Sequence, residues 1–499
     1  MRRGTIVGFA LCLLGCPGDD TDQTCDSEDC DSEGAGSETG MTSAMTTMSP
    51  TSSSDTGVTT MGSTGSEGGS TAAVDSTGET SAGCGGDEEC TDAAAPFCVD
   101  SVCSPCSATA DAAAACQGLD PTTPLCFDDA CVACTELPTD CASATPICDE
   151  ESGACLPCTE HAQCPDSACH AFVGSCLDTS AVYYVNGGAG AGGDGTLESP
   201  FATISEALAV IPAGTEGTIR VDETITTYNE ALLVDGDRVV AILGLGGGVP
   251  DLRSPMNAPA LDVLAATAYL ESFNIIGNDI ADSVVAVDGG VDLRRTIVAF
   301  NDDGVGIDAL GSDVRLINTE IYLNDFGGVA VADGTLDVVN SVIGGNGLFG
   351  QPTTAVLVED TDFSILYTTV ANNFGGGSNN GPVEATLECR GDSDGEVRNS
   401  ILLSPDPDQI DNEGCPNMEA NNSAVDTMDL DGMGSVVIAY DADFFVMPFA
   451  PDFHLDPAFP DSPFDGLAVW QDGDPIRDFD GDARPTSDGD PDWAGYDVP

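Results

Sequence analysis

From Leu270 onward one pattern returns at near-constant intervals, and it restricts the fold more than any other feature of the chain. The copies begin at Leu270, Leu293, Leu316, Val338, Ile365 and Val397, so the steps are 23, 23, 22, 27 and 32 residues. Five positions after each start stands another aliphatic residue: Ile275, Val298, Ile321, Ile343, Val370 and Leu402. Eight positions after each start stands Asn278, Asn301, Asn324, Asn346 or Asn373, and in the last copy Pro405. Thr296, Thr319, Ser341, Thr368 and Ser400 lie three positions on, with Phe273 the exception. A period near 23 residues with β-branched runs and Gly, Asp and Asn turns does not suit helix-pair repeats. Those run longer and lean on Ala, Leu, Glu and Lys, and this chain has no Lys. Leucine-rich repeats need a denser Leu pattern.

Short strands wound into coils, each coil stacked on the last, satisfy the spacing. Equivalent residues then form columns at a strand spacing of about 4.8 Å. The chain is therefore read as all-β, a parallel β-helix, with the aliphatic columns inside. The Asn column is placed in a turn, where Asn tolerates left-handed geometry and its amide can bond to the next Asn of the stack. Second strands are expected at Val284–Val287, Val305–Ile307, Val329–Val331 and Ala355–Val358. The two longer steps imply loop insertions, including the Gly-rich 372–381.

Both flanks of the repeat carry further motifs. Upstream are Tyr183-Tyr184-Val185-Asn186, Gly195-Thr196 and Ser199-Pro200-Phe201-Ala202-Thr203-Ile204. Downstream are Phe453-His454-Leu455, Ser462-Pro463-Phe464-Asp465-Gly466, 478–485 (DFDGDARP) and Asp492-Trp493-Ala494-Gly495-Tyr496. These resemble the opening and closing coils of secreted proteins with a pectin-lyase-like right-handed parallel β-helix. The resemblance covers about 183–499 and implies the fold, not one activity, because lyases, hydrolases, adhesins and tailspikes share it. Ser199 is the expected N-cap, and Pro200 the first residue, of a short helix that plugs the open end. His454 is assigned a structural role.

The N-terminus is read as an export signal at 1–15: Arg2 and Arg3, then a short apolar run from Ile6 to Leu14, too short to span a bilayer. Leu13-Leu14-Gly15-Cys16 resembles the lipobox of bacterial lipoproteins, which makes Cys16 the lipidated first residue. Pro17 follows rather than Asp, which points to the outer membrane or cell surface of a Gram-negative bacterium. Residues 16–83 are Ser, Thr, Gly and acid, with too little apolar area to offset ordering entropy, and are read as a disordered stalk.

Sixteen of the 22 cysteines fall between Cys84 and Cys176, in four sets of four joined by C-x-x-C steps at Cys103–Cys106, Cys131–Cys134 and Cys155–Cys158. Zinc is one reading of such steps. Export and an even count in each set favour disulfides instead, and spacing leaves the pairing open. The units loosely resemble small cysteine-rich modules of extracellular proteins. Cys389 and Cys415 are expected to form one more bridge. The domain order is thus signal 1–15, stalk 16–83, cysteine-rich repeats 84–176, β-helix 182–425, and a closing coil with an acidic cap at 426–499.

With 85 acidic residues against 12 Arg, the net charge of −73 excludes nucleic acid as a natural partner and disfavours anionic membrane surfaces. Membrane contact is expected through the lipid alone, and the chain is expected to be monomeric. Asp279, Asp302 and Asp325 follow the Asn column, with Asp303 beside the second. Carboxylates one strand spacing apart repel unless splayed into water or bridged by a cation. Three readings stand: solvated turn acids, a calcium site, or an acid/base pair for glycoside cleavage. Asp288, Asp333 and Asp360 sit at another turn with the same three readings. Arg294, Arg295 and Arg315 lie on adjoining coils, and a lyase on this fold uses an Arg base beside calcium. Asp302, Asp325 and Arg295 are therefore the catalytic candidates. Asp478, Asp480 and Asp482 have calcium-loop spacing without the downstream Glu of an EF-hand. Few aromatics accompany these acids for sugar stacking. The preferred reading is a non-catalytic surface protein binding a polysaccharide or another surface protein. The alternative is a polysaccharide-degrading hydrolase or lyase.

Overall fold

The computed structural model describes residues 84–499 except 85, 92–94, 136–140, 150–151, 223–226, 247, 256, 278–281, 348–353, 375–385, 406–409, 412, 428–429, 431, 450 and 460–461. The signal, Cys16, the stalk, Asn278 and Asp279 lie outside the described residues.

Three parallel sheets form the body, a right-handed parallel β-helix. Among the described residues, the first sheet stacks ten strands from Val182–Val185 to Glu419–Asn421. The second stacks ten from Thr227–Asn229 to Val436–Val437, and the third eight from Leu232–Asp235 to Ile410–Asp411. Each coil contributes one strand to each sheet, and every pairing within these sheets is parallel. Right-handed crossovers are the hand that lets a twisted strand pack back onto its own sheet.

The two aliphatic columns run up the interior. Leu270, Leu293, Leu316, Val338, Ile365 and Val397 are successive partners in the first sheet. Ile275, Val298, Ile321, Ile343, Val370 and Leu402 are successive partners in the second. All twelve are at most 1% exposed. The first column continues upstream through Ile242 and Ile219, so two coils precede the region where the repeat is legible. The third-sheet strands are Val284–Val287, Ile307–Leu310, Val329–Ala332 and Val356–Glu359; the second and fourth begin later in the chain than expected.

Three corners turn each coil, and each places one residue in the left-handed region. Asp288, Asp333 and Asp360 turn the corner after the third sheet, with φ of 52, 56 and 49°. Arg295, Asn318, Asn340, Tyr367, Asn399 and Asn422 turn the corner after the first. At the third corner the left-handed residues are Phe300, Leu323, Gly345 and Asn372, each one position before the Asn column. The ladder Asn residues are not the left-handed ones. Their amides point inward, where the backbone needs partners, and the preceding residue takes the unfavourable φ.

The plug helix is Ile204–Val210, four residues beyond the expected first residue. Thr203, not Ser199, caps it by accepting from the Glu206 N–H. Phe201 remains extended and bridges to Val185, while Ile204, Ala207 and Leu208 are buried in the main core.

Each cysteine set closes first with third and second with fourth: Cys84–Cys98 with Cys90–Cys103, Cys106–Cys126 with Cys116–Cys131, Cys134–Cys148 with Cys141–Cys155, and Cys158–Cys169 with Cys164–Cys176. The physical reason is a small hairpin in each unit. Its strands set the third cysteine opposite the fourth, as Cys98 faces Cys103 and Cys169 faces Cys176. Neighbours placed this way project to the same side and reach back to two different upstream partners. Cys389 is bonded to Cys415.

Two segments cover the outside of the coils. The fourth cysteine unit lies on the first sheet, where Ala168 and Leu177 pack with Ala241 and Tyr269. The second covering segment is the one after Val437. It runs along the outer face of the second sheet, where Phe445, Phe453, Phe464, Trp470 and Tyr496 cover Val342, Ala371, Ile401 and Leu403. Gly344 permits this: a Cβ there would stand 2.4 Å from the Phe453 ring. Among the described residues no helix is long and apolar enough to cross a membrane.

Candidate functional site

The Asn column is a buried hydrogen-bond ladder, not a ligand site. Asn324 Nδ2 donates to Asn346 Oδ1 at 3.0 Å, and Asn346 Nδ2 to Asn373 Oδ1 at 3.0 Å. The same oxygens accept the backbone N–H of Asn324 and Asn346. A second ladder stands at the corner after the first sheet. The N–H groups of Thr319, Ser341, Thr368 and Ser400 each face the hydroxyl of the next coil, from Ser341 to Ser423. Both ladders satisfy corner N–H groups that would otherwise be buried without partners.

The catalytic candidates divide. Asp302 and Asp303 are exposed, and Asp325 is 8% exposed on the neighbouring coil. Burial first, then the charges of Asp302 and Asp303, push the Asp325 carboxyl up to about 6. Arg295 does not join them. It occupies the corner after the first sheet and pairs with Glu271. Arg294 makes a two-point ion pair with buried Asp292, both contacts 2.7 Å, and also donates to the Thr159 carbonyl. Arg315 reaches the Ala171 carbonyl and lies 5.0 Å from the Phe172 ring centroid. Arg220 donates to the Pro165 carbonyl at 2.6 Å. These three Arg serve as a dock for the fourth cysteine unit. Tyr269 completes it, bonded to His170 Nδ1 at 2.6 Å and edge-on to His161. Burial, then the charges of Arg294 and Arg295, hold the His161 imidazole down to about 3, so it is neutral in this dock.

Asp478, Asp480 and Asp482 also part company. Both carboxylate oxygens of Asp478 accept backbone N–H groups, from Asp482 at 2.7 Å and Val498 at 2.9 Å. Asp482 is exposed. The three carboxylates of the loop are therefore not turned to one point, as a calcium loop of that spacing would have them. Only Asp480 faces other chemistry, with its Oδ2 3.1 Å from His454 Nε2.

Around that contact the structure gathers groups that sequence spacing could not bring together. His454 Nδ1 lies 2.7 Å from Asp452 Oδ1. Asp497 is 4% exposed and accepts the Leu455 N–H through Oδ2 at 2.8 Å. Burial first pushes the Asp497 carboxyl up to about 6. Glu320 lies beneath, on the outer face of the second sheet. Its column continues through Val342, Thr369, Ile401 and Ala424, and runs back through Ile297 and Asn274 to Asp251. Burial pushes Glu320 up to about 7, with His454 opposing and Asp452 and Asp480 adding to the rise. The sequence signals it only weakly: Glu320 is followed up its column by apolar residues and Thr, but polar Asn274 and Asp251 precede it.

A family model described as "Family of unknown function (DUF8331)" matches residues 70–182, the span of the cysteine-rich units. No curated protein matches the chain. Among solved structures, the pectate lyase Pel9A aligns with a TM-score of 0.36 at 12% identity, covering 60% of this chain and 94% of that one. A rhamnogalacturonan lyase aligns at 0.30 and 10%, covering 53% and 90%. A GH136 lacto-N-biosidase from Eubacterium ramulus aligns at 0.25 and 7%, covering 52% and 68%. At these values the activities of those enzymes carry no weight for this chain.

Proposed function

We propose that the protein is exported, anchored by a lipid at Cys16 to the outer membrane or cell surface, and non-catalytic, with its β-helix presented to a polysaccharide or a surface protein. The observation that carries the binding role is the third sheet. The other two sheets are partly covered by the chain's own segments. Among the described residues, no hydrophobic cluster includes an outward side chain of the third sheet. Its outward columns read Leu233, Asp262, Val285, Asp308, Ala330, Leu357 and, beside them, Asp235, Leu264, Val287, Leu310, Ala332, Glu359. Leu233, Leu264 and Leu310 are 47%, 38% and 50% exposed. A flat, regular face of aliphatic and acidic side chains suits a partner that repeats along the same axis. The separation of Arg295 from Asp302 and Asp325 argues against lyase chemistry.

A second reading, glycoside cleavage by Asp325 and Asp302, rests on the raised Asp325 carboxyl beside an exposed Asp302. That is the contrast an acid and its partner need. A glycan-degradation screen with the Asp302→Ala variant alongside separates the two. The expected result is no release of fragments by either protein, with binding retained on a glycan or cell-surface array. Robust cleavage abolished by Asp302→Ala replaces the first reading with the second.

A further inference from the structure

The C-terminal segment carries a group of side chains that its packing role does not explain. Four carboxylates, Glu320, Asp452, Asp480 and Asp497, surround one imidazole. Even a charged His454 offsets one of the four. One ligand atom each of His454, Asp480 and Asp497 lies within 4.8 Å of the other two, the separation of groups that share one small cation. With the Asp452 carboxylate on Nδ1 the ring keeps a proton there, so Nε2, turned toward Asp480, carries either a second proton or a cation. That nitrogen is buried and accepts no hydrogen bond. A lone pair 3.1 Å from a carboxylate oxygen is repulsive unless something positive lies between or on them.

Glu320 is the independent observation. It belongs to the coil wall rather than to the segment, is partly buried, and no donor among the described residues reaches its carboxyl. A partly buried acid among other acids, without a donor, is stabilised by a positive charge close by.

We propose that His454, Asp480 and Asp497 form a divalent-cation site of the zinc class, over the partly buried charge of Glu320, that clasps the C-terminal segment to the wall of the β-helix. One imidazole with two carboxylates is a donor set for zinc and its borderline neighbours. Calcium takes six to eight oxygens and seldom a nitrogen. Asp452 is a positioning residue, which orients the imidazole without touching the ion. The three ligands come from the strand Asp452–Leu455 and the two terminal turns, so an ion there cross-links the segment to itself, while the charge of Glu320 on the wall strand Glu320–Asn324 holds it against the wall.

The test uses the full chain, stripped with EDTA and returned to buffer with millimolar calcium to occupy unspecific acidic sites. Zinc is added, excess is removed, and bound metal is measured together with thermal unfolding. The expected result is one zinc retained per chain and a higher melting temperature of the segment. His454→Gln and Asp480→Asn abolish both effects. Asp452→Asn weakens zinc about 10- to 100-fold, and Asp482→Asn leaves it unchanged. Asp480 is exposed, so its variant decides the matter if His454→Gln does not fold. No zinc retained by the natural chain overturns the site and leaves an imidazolium between carboxylates. Equal zinc on the natural chain and on Asp480→Asn overturns it as adventitious acidic binding.

Discussion

Asn324 and Asn346 lie on adjacent coils, and the amide oxygen of Asn346 accepts both the backbone N–H and the Nδ2 of Asn324, at 3.1 and 3.0 Å. One side chain thus satisfies two buried donors of the next coil, while its own Nδ2 serves Asn373 and the Ile321 carbonyl. Replacing it by Ala strands all of these groups at once. Each unsatisfied buried group costs about 1–3 kcal/mol, so Asn346→Ala is expected to cost about 2–4 kcal/mol after local relaxation. Urea unfolding followed by circular dichroism measures it. Glu396→Ala, outward and exposed, serves as the control and is expected to move the midpoint little.

Arg294 ties the fourth cysteine unit to the first sheet while neutralising Asp292, which is fully buried. Removing the Arg takes away both short contacts of that carboxylate and leaves Arg315 at 3.9 Å as its remaining cation, so the cost is expected to fall below the about 3–5 kcal/mol of a fully broken buried pair. Arg294→Ala should therefore expose the linker after Cys176 to limited proteolysis. The disulfide-bonded units and the distal coils should survive as fragments. Unchanged cleavage kinetics would show that the apolar contacts of Tyr269 and Leu177 suffice as a dock.

Gly344 has no left-handed φ to justify it; what requires it is the Phe453 ring against its Cα. Gly344→Val is expected to lift the C-terminal segment from the second sheet and leave the coils wound. The measurement is hydrogen exchange: faster exchange at Phe453–Leu455, with protection retained at Ile321 and Ile343. Uniform loss of protection would instead make the segment part of one cooperative unit with the coils.

Asp325 has a carboxyl raised to about 6 by burial and by Asp302 and Asp303. A carboxyl raised in the folded state binds more protons there than when unfolded. Its contribution to stability is thus fully present below about 4 and is lost as pH rises to about 6 and beyond. Asp325→Asn should flatten the fall in melting temperature over that window and raise the value at pH 7.5. The gain is expected to be modest, about 1 kcal/mol or less, because Asp302 and Asp303 are screened by water. Melting curves from pH 4 to 8 check the slope.

The legible part of the fold was the part whose signal is periodic. Leu270 to Val397 and Ile275 to Leu402 could be set in register because inward side chains of stacked coils recur at one spacing, and a shift by one residue would turn each column outward. The Thr and Ser column was visible as a pattern, but its role was not, since nothing in a hydroxyl's spacing says that it accepts from the coil before it. Ser199-Pro200 carries a strong local signal for a helix start, but the helix begins at Ile204. The bridge from Phe201 to Val185 outweighed it and left Thr203 as the cap.

What the sequence alone determined, then, is the coil: its period, its two inner aliphatic columns, its Asn column and the grouping of cysteines in fours. These follow from side chains whose partners stand one regular step away. Tertiary structure decided which outer faces are covered, which cysteine bonds to which, and that Glu320, His454, Asp480 and Asp497 meet. Those choices bring together positions far apart in the chain, with no period linking 320 to 497. The contacts arise only when the segment after Val437 turns back along the wall instead of adding another coil.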